Sequence, residues 1–132
     1  MKNTPTNRPR IEDQKHYKKI GRLSLAIAKA IRRKSADIYI DENHIKHIEI
    51  NHSKELNSIG FDAETFVCLV VENFNQIRIG KNESLLLVIY NGKPKVTAIE
   101  LNYVLKTKFY EVKTATIMSK KRLKSKVILW EK

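Results

Sequence analysis

The chain has 132 residues, 42% of them hydrophobic, which is enough apolar material for one modest core but too little length for two domains of ordinary size. Lys and Arg number 26 against 14 Asp and Glu, so the formal net charge is +12. This charge favours a polyanionic partner such as nucleic acid over an acidic protein or a neutral ligand, but it does not indicate a reaction.

Two common features are absent from the sequence. No apolar stretch reaches the roughly 18 residues that a membrane-spanning helix needs, and the Met1 end lacks the apolar core of a signal peptide. The single cysteine, Cys68, lies in an apolar run, so it forms no intrachain disulfide and is expected to be buried. We therefore expect a protein made in a reducing cytoplasm, with no membrane partner.

The first 36 residues carry most of the excess positive charge. Residues 1–10 contain two prolines and little to bury, which predicts a disordered tail. Residues 11–36 predict a basic amphipathic helix, because Ile20, Leu23 and Ile27 recur at helical spacing. The basic side of this helix is either a solvated outer face or a phosphate-binding arm or linker.

Residues 37–132 predict one compact α+β domain. A short strand around Ile38 is followed by Asp41, a plausible N-cap for a helix that runs to about Ser58 and ends near Gly60. Asp62 caps a second helix, which extends to Asn75 and has one broad apolar face.

The hydrophobic period then changes to two, which is typical of strands. Strands are predicted over residues 76–80, 84–90, 95–102, 108–118 and 126–130, with a turn at Asn91-Gly92. The run from Leu85 to Ile89 is apolar on both faces and suits a central strand. We expect an α+β fold, in which N-terminal helices pack on one antiparallel, mostly meander sheet of four to five strands.

Two histidines, His47 and His52, lie on the first predicted helix of this domain. A helical projection places His52 on the stripe that faces the sheet and His47 on its flank. The ordinary roles of such residues are a hydrogen-bonded core histidine and a surface histidine. Their spacing separates them by about 140° around the helix, which disfavours a shared metal, so neither a metal site nor a cofactor is expected.

From residue 37 onwards the chain resembles the phage and polymorphic-toxin members of the barnase/EndoU/colicin D/RelE-like nuclease superfamily. The resemblance rests on the short strand, the helix with His47 and His52, and an antiparallel sheet with a strand that carries Tyr110, Val112 and Thr114. It implies an RNA-cleaving fold in which a helix-borne histidine and polar residues of the sheet act on a phosphodiester without metal.

That chemistry needs a base for the ribose 2′-OH, an acid for the leaving 5′-oxygen and donors for the phosphorane. His47 and His52 are the candidate acid and base, in an order that the sequence leaves open. Strand alternation places four residues on one face, and the resemblance favours this face for catalysis: Tyr110, Val112, Thr114 and Thr116. Thr114 and Tyr110 are candidate catalytic residues, although both are also ordinary strand formers.

Substrate contacts are expected from Thr116, from Lys113 and from a dense cationic loop between the last two strands. Lys113 is a phosphate clamp if a bulge places its side chain on the face of Thr114, and otherwise a solvated cation. The cations of the loop are phosphate contacts or a solvated surface in equal measure: Lys120, Lys121, Arg122 and Lys124.

Three functions fit these features. The first is a metal-independent endoribonuclease, a toxin or mobile-element effector that cleaves RNA, with tRNA among the candidate substrates and an inhibitor or immunity protein as a candidate partner. The second is a non-catalytic RNA- or DNA-binding module, which needs the charge but not the histidines. The third is an interaction domain of a phage or mobile-element assembly, docked through residues 1–36.

Overall fold

The structure, a computed structural model, describes residues 16–43 and 62–132. In these residues seven strands form one mixed sheet, in the order β1-β2-β6-β5-β4-β3-β7, accompanied by three helices. The strands are β1 (Tyr17–Leu23), β2 (Ala36–Asp41), β3 (Gln76–Ile79), β4 (Leu85–Ile89), β5 (Lys95–Val104), β6 (Phe109–Ser119) and β7 (Ile128–Glu131). The helices are α1 (Leu25–Ile31), α2 (Ala63–Asn73) and α3 (Lys120–Lys124).

The α+β class is therefore confirmed, but the prediction of one antiparallel sheet of four to five strands is wrong in detail. All neighbouring strands pair antiparallel except β2 and β6, which are parallel. A parallel pair needs a long crossover between its strands, whereas the other predicted strands follow one another through short turns. Strands β3 to β6 do form the expected meander.

The sequence prediction of one long basic helix over residues 11–36 is also wrong in the described part. Residues 17–23 form β1, which pairs antiparallel with β2 and buries Leu23 beside Ala36. The helix begins only after Ser24, whose hydroxyl accepts a hydrogen bond from the Ile27 N–H at 3.2 Å. The helical spacing of the apolar residues arose because a strand and a short helix each contribute part of it.

Most of the core lies on one face of the sheet, where α1 and α2 pack. As predicted, Asp62 caps α2: its carboxylate accepts from the Thr65 N–H at 2.7 Å. The fully buried Phe66 and Val70 of α2 join the main cluster. Trp130 of β7 packs edge-on against Phe74 with ring centroids 5.6 Å apart, so it closes the core.

The second face of the sheet holds a smaller cluster, covered by α3. Strand β4 is buried on both faces, as predicted, with Leu86 and Val88 in this second cluster and Leu123 of α3 on top of them. The sequence predicted a loop at residues 119–126. Instead, Ser119 caps a helix through a bond from the Arg122 N–H at 3.1 Å, because Leu123 gives the segment one apolar anchor.

The remaining sequence predictions concern the Asp41 cap, the helix after it, the tail and the turn at Asn91-Gly92. The Asn43 N–H donates to Asp41 Oδ1 at 2.8 Å, as expected of a cap. The rest of that predicted helix, with His47 and His52, lies outside the described residues, as does the predicted tail. The turn at Asn91-Gly92 is confirmed, with Gly92 at a φ of 80°.

Candidate nucleic-acid interface

A cavity of about 270 Å³ opens on the second face of the sheet, beside α3. We refer to it as the Thr114 cavity. Its lining combines hydroxyls, one carboxylate and three cations over an apolar floor: Gly80, Lys81, Leu86, Glu100, Thr114, Thr116, Met118, Arg122 and Lys126.

A bulge in β6 places the two threonines in this cavity. Glu100 pairs with Thr114, but the next residue of β5, Leu101, pairs with Val112, so Lys113 is an additional residue in β6. Because side chains alternate along a strand, this insertion turns Thr114 and Thr116 onto the second face while Val112 stays in the main core. The predicted shared face of Tyr110, Val112, Thr114 and Thr116 is therefore wrong.

Helix α3 supplies Arg122, and the buried guanidinium of Arg78 fixes this helix to the sheet. Arg78, only 7% exposed, donates through Nη1 to the Leu123 and Lys126 carbonyls at 3.1 and 3.0 Å. Its Nε donates to Gln76 Oε1 at 3.0 Å. These bonds satisfy carbonyls at the end of α3 and place a further positive charge beneath it.

The carboxylate of Glu100 is held in place by the turn between β3 and β4. Its Oε2 atom accepts a short hydrogen bond from the Ser84 hydroxyl and another from the Lys81 N–H at 3.1 Å. The turn is a 3-10 segment, Lys81–Glu83. These bonds fix the Glu100 carboxyl opposite the cations of the cavity.

The predicted substrate residues of α3 surround the cavity without all lining it. Lys121 and Lys124 are exposed, and Arg122 lines the wall. Lys120 Nζ lies 5.8 Å from the centre of the Tyr90 ring, in a cation–π position. Four of the five residues of α3 are cations and its first turn carries no acidic residue, so this end of the molecule is strongly positive.

Tyr110 lies elsewhere, on the main-core face. It is 2% exposed, and its hydroxyl donates to the Lys34 carbonyl at 2.7 Å. Burial raises the pKa of this hydroxyl above its ordinary value, so it stays protonated as the donor of that bond. Thr114, Thr116 and Arg122 are thus brought together, Tyr110 is separated from them, and the positions of His47 and His52 are not described.

At the β1 end of the second face, cations are engaged in ion pairs. Arg22 and Lys19 of β1 pair with Asp37 of β2 at 2.9 and 3.4 Å, so these cations are already partnered. Nearby, the Glu111 carboxylate accepts a hydrogen bond from the Tyr17 hydroxyl; this bond, followed by burial, raises the pKa of Tyr17. By contrast, the cations of α3 on this face have no ion pair among the described residues.

Comparison of the chain with family models, with curated proteins and with solved structures gave no match. The nuclease resemblance therefore rests on the residues of this chain alone. Among residues 16–43 and 62–132, no helix is long and apolar enough to cross a membrane. In the same ranges, no group of three or more His, Cys, Asp and Glu side chains is arranged to hold a metal ion.

Sequence reasoning missed four residues of this site: Lys81, Glu100, Lys126 and the supporting Arg78. Lys126 belonged to the recognised cationic run. Arg78 stands between two isoleucines of a predicted strand, a position where a charged residue must face either solvent or a partner. Glu100 stands between Ile99 and Leu101 in the same way. Only the sheet register shows that these residues meet β6 and α3.

Proposed function

We propose that the chain binds RNA through the Thr114 cavity and the basic surface of α3. The observation that carries this proposal is the bulge at Lys113, since it joins two hydroxyls of β6 to Arg122 and Lys126. Hydroxyl and guanidinium donors are the usual partners of phosphate oxygens and ribose hydroxyls.

The size of the cavity favours a segment of strand over a small molecule. At about 270 Å³ it is smaller than the roughly 300–1,000 Å³ of typical ligand pockets. It suits one phosphate and its ribose. Contacts to neighbouring phosphates then come from the exposed Lys121 and Lys124 on α3.

The net charge of the lining supports an anionic ligand. Lys81, Arg122 and Lys126 outnumber the single carboxylate of Glu100, which is itself engaged by Ser84 and by the Lys81 N–H. Buried Arg78 has carbonyl partners and no ion pair among the described residues, so its charge adds to the positive potential.

Fluorescence anisotropy with a labelled single-stranded RNA tests this proposal. Arg122→Gln is expected to weaken binding about tenfold, since it removes a charge-assisted contact. Thr114→Val keeps the shape of the side chain and loses the hydroxyl, so we expect a smaller loss of about threefold. Lys29→Gln is the matched control: it removes one exposed charge from α1, and it should lose only the small, non-local part of the attraction. Equal losses in Arg122→Gln and Lys29→Gln would reject the cavity as the site.

A second candidate function is the metal-independent endoribonuclease expected from the resemblance. The observation that favours it is Glu100, whose carboxylate lies in one cavity with the Thr114 hydroxyl and the Arg122 guanidinium. A carboxylate or histidine base takes the proton of the 2′-OH, and a cation stabilises the phosphorane. His47 and His52 remain the proposed acid and base.

Incubation with total tRNA and a structured messenger RNA in EDTA tests this second function. A nuclease of this kind leaves 2′,3′-cyclic phosphate ends, and His52→Ala should abolish them while RNA affinity is kept. Glu100→Gln abolishes them only if Glu100, and not a histidine, is the base. Glu72→Gln, an exposed carboxylate on α2, is the control and should cut like the wild type. Binding without any cleavage leaves the module non-catalytic. As an effector, the chain would be inhibited by a partner whose acidic surface covers α3.

A further inference from the structure

A second, larger cavity of about 670 Å³ lies on the other side of the Lys81–Glu83 turn. We refer to it as the Arg32 cavity. It lies between the end of α1, this turn and the ends of β5 and β6. Its lining combines three cations and two amide side chains with apolar and aromatic groups: Arg32, Arg33, Lys34, Asn82, Glu83, Ser84, Leu85, Leu101, Asn102, Tyr103, Leu105 and Tyr110.

Three consecutive cations follow α1 at this cavity, and their backbone is well fixed. The Arg33 N–H donates to the Ala28 carbonyl at 2.9 Å, and the Lys34 carbonyl accepts from the Tyr110 hydroxyl at 2.7 Å. The Arg33 guanidinium donates to the Glu83 carbonyl at 3.4 Å, which links the cations to the turn. No ion pair is found for these three cations within residues 16–43 and 62–132.

Three residues of the lining have left-handed backbone conformations that L side chains rarely adopt. Their φ angles are 57° at Arg32, 54° at Asn82 and 62° at Glu83. Arg32 occupies the position after a helix where glycine is the usual residue. Of the non-glycine residues with positive φ in the described ranges, only Lys108 lies outside this lining. Such strain concentrates where side chains serve a ligand.

The opposite wall offers an aromatic surface. Tyr103 is half-buried and packs edge-on against Tyr110, with ring centroids 5.2 Å apart, so its ring is held in one orientation. The side chain of Leu105 is 81% exposed at the rim. Asn82 and Asn102 add amide groups that both donate and accept hydrogen bonds.

We propose that the Arg32 cavity binds a nucleotide, with the base against Tyr103 and the phosphate on the three cations. The volume falls within the roughly 300–1,000 Å³ of small-molecule sites. An aromatic ring beside amide groups suits a planar heterocycle, and neighbouring guanidinium groups suit a phosphate. The nucleotide is either free or the phosphorylated end of an RNA strand. The proposal does not depend on RNA binding at the Thr114 cavity.

Calorimetric titration of the 132-residue chain with the four ribonucleoside 5′-monophosphates tests the site, with inorganic phosphate as the anion control. The sharpest variant is Arg32→Gly, because glycine relieves the left-handed strain while it removes the cation. We expect a melting temperature at or above that of the wild type, together with a roughly tenfold loss of nucleotide affinity. A merely structural role for Arg32 would not separate these two effects.

Two arms distinguish the source of the nucleotide. Binding of a monophosphate indicates a free nucleotide. Arg32-dependent binding of a 5′-phosphorylated oligoribonucleotide, without monophosphate binding, indicates a strand end. Lys106→Gln removes an exposed cation outside the lining and should change neither. The proposal is overturned if nothing binds up to about 10 mM, if phosphate binds as tightly as the nucleotides, or if Arg32→Gly binds like the wild type.

Discussion

Asp37 shows how single charges on the second face hold the β1–β2 edge. Its carboxylate accepts a hydrogen bond from Arg22 at 2.9 Å and forms an ion pair with Lys19 at 3.4 Å. Partial burial opposes its ionisation, but the two cations outweigh this and lower the pKa of Asp37 below its ordinary value. The ionised carboxylate is therefore stabilised more in the folded than in the unfolded chain.

The sign of the resulting pH dependence follows from that lowered pKa. The stabilisation is fully present above the unfolded pKa of about 3.9 and is lost as the pH falls through the lower folded value. We predict that Asp37→Asn flattens the fall in melting temperature below about pH 4. The free energy of unfolding that this carboxylate contributes is less than about 1 kcal/mol, because the pair is partly exposed. Glu72→Gln should keep the wild-type slope. An unchanged slope in Asp37→Asn would contradict the assignment.

Gly21 is a residue whose small size is required by packing. A Cβ atom placed on it overlaps the Val71 Cγ1 atom, so β1 approaches α2 more closely there than any other residue allows. The sequence predicted a helix over residues 11–36, which include Gly21. The structure shows instead that it permits contact between a strand and a helix.

We predict that Gly21→Ala destabilises the protein by about 1–3 kcal/mol, because it overpacks this contact. Val71→Ala alone should destabilise it through a cavity. The double variant should lose less than the sum of the two, since the new methyl group fills the space left by Val71. Urea unfolding of the three variants measures this coupling, and strictly additive losses would show that the two residues do not meet.

At the scale of elements, α3 depends on the buried guanidinium of Arg78. The helix has five residues, too few to be stable in isolation. The Ser119 cap, the Leu123 anchor and the bonds from Arg78 to the Leu123 and Lys126 carbonyls hold it on the sheet.

We predict that Arg78→Met loses about 1–3 kcal/mol of stability and accelerates amide hydrogen exchange across residues 120–126, because it removes the donor to the Lys126 carbonyl and one of the donors to the Leu123 carbonyl. RNA affinity should fall as well, although Arg78 does not line the Thr114 cavity. Arg122→Gln is the informative comparison, since it should lower affinity without changing the exchange rates. Wild-type exchange of α3 in Arg78→Met would refute the anchoring role.

The elements that sequence could predict are those with a local signal. The strands β3, β5 and β6 show alternation, β4 is a continuous apolar run, and α2 has its Asp62 cap and a broad apolar face. Strand β1 was missed because Ile20, Leu23 and Ile27 mimic one helix across the Ser24 boundary. Helix α3 was missed because its dense like charges resemble a solvated loop.

The site was predictable only in part for the same reason. Thr114 and Thr116 were candidates because the nuclease resemblance favoured their face of the strand, and Arg122 was a candidate because it belongs to the dense cationic segment. Their meeting depends on the bulge at Lys113, which alternation alone cannot reveal. Glu100 and Arg78 act through neighbouring strands, so their roles follow from sheet register and not from local sequence.

At the scale of the whole molecule, the turn at Lys81–Glu83 separates two cavities of different chemistry. Lys81 lines the Thr114 cavity, whereas Asn82 and Glu83 line the Arg32 cavity. The cations of β1 are paired with Glu64 and Asp37, whereas the cations that line the two cavities have no ion pair among the described residues. A polyanion is therefore expected to approach from the α3 end.

The most direct test of RNA binding at the Thr114 cavity is the salt dependence of affinity for a single-stranded RNA, measured by anisotropy on the wild type and on Arg122→Gln/Lys126→Gln. Each phosphate contact contributes about −0.7 to the slope of log affinity against log salt concentration. We predict that the double variant has a slope shallower by about 1.4 than the wild type. Identical slopes, or no binding by the wild type, would contradict a phosphate site formed by α3 and β6.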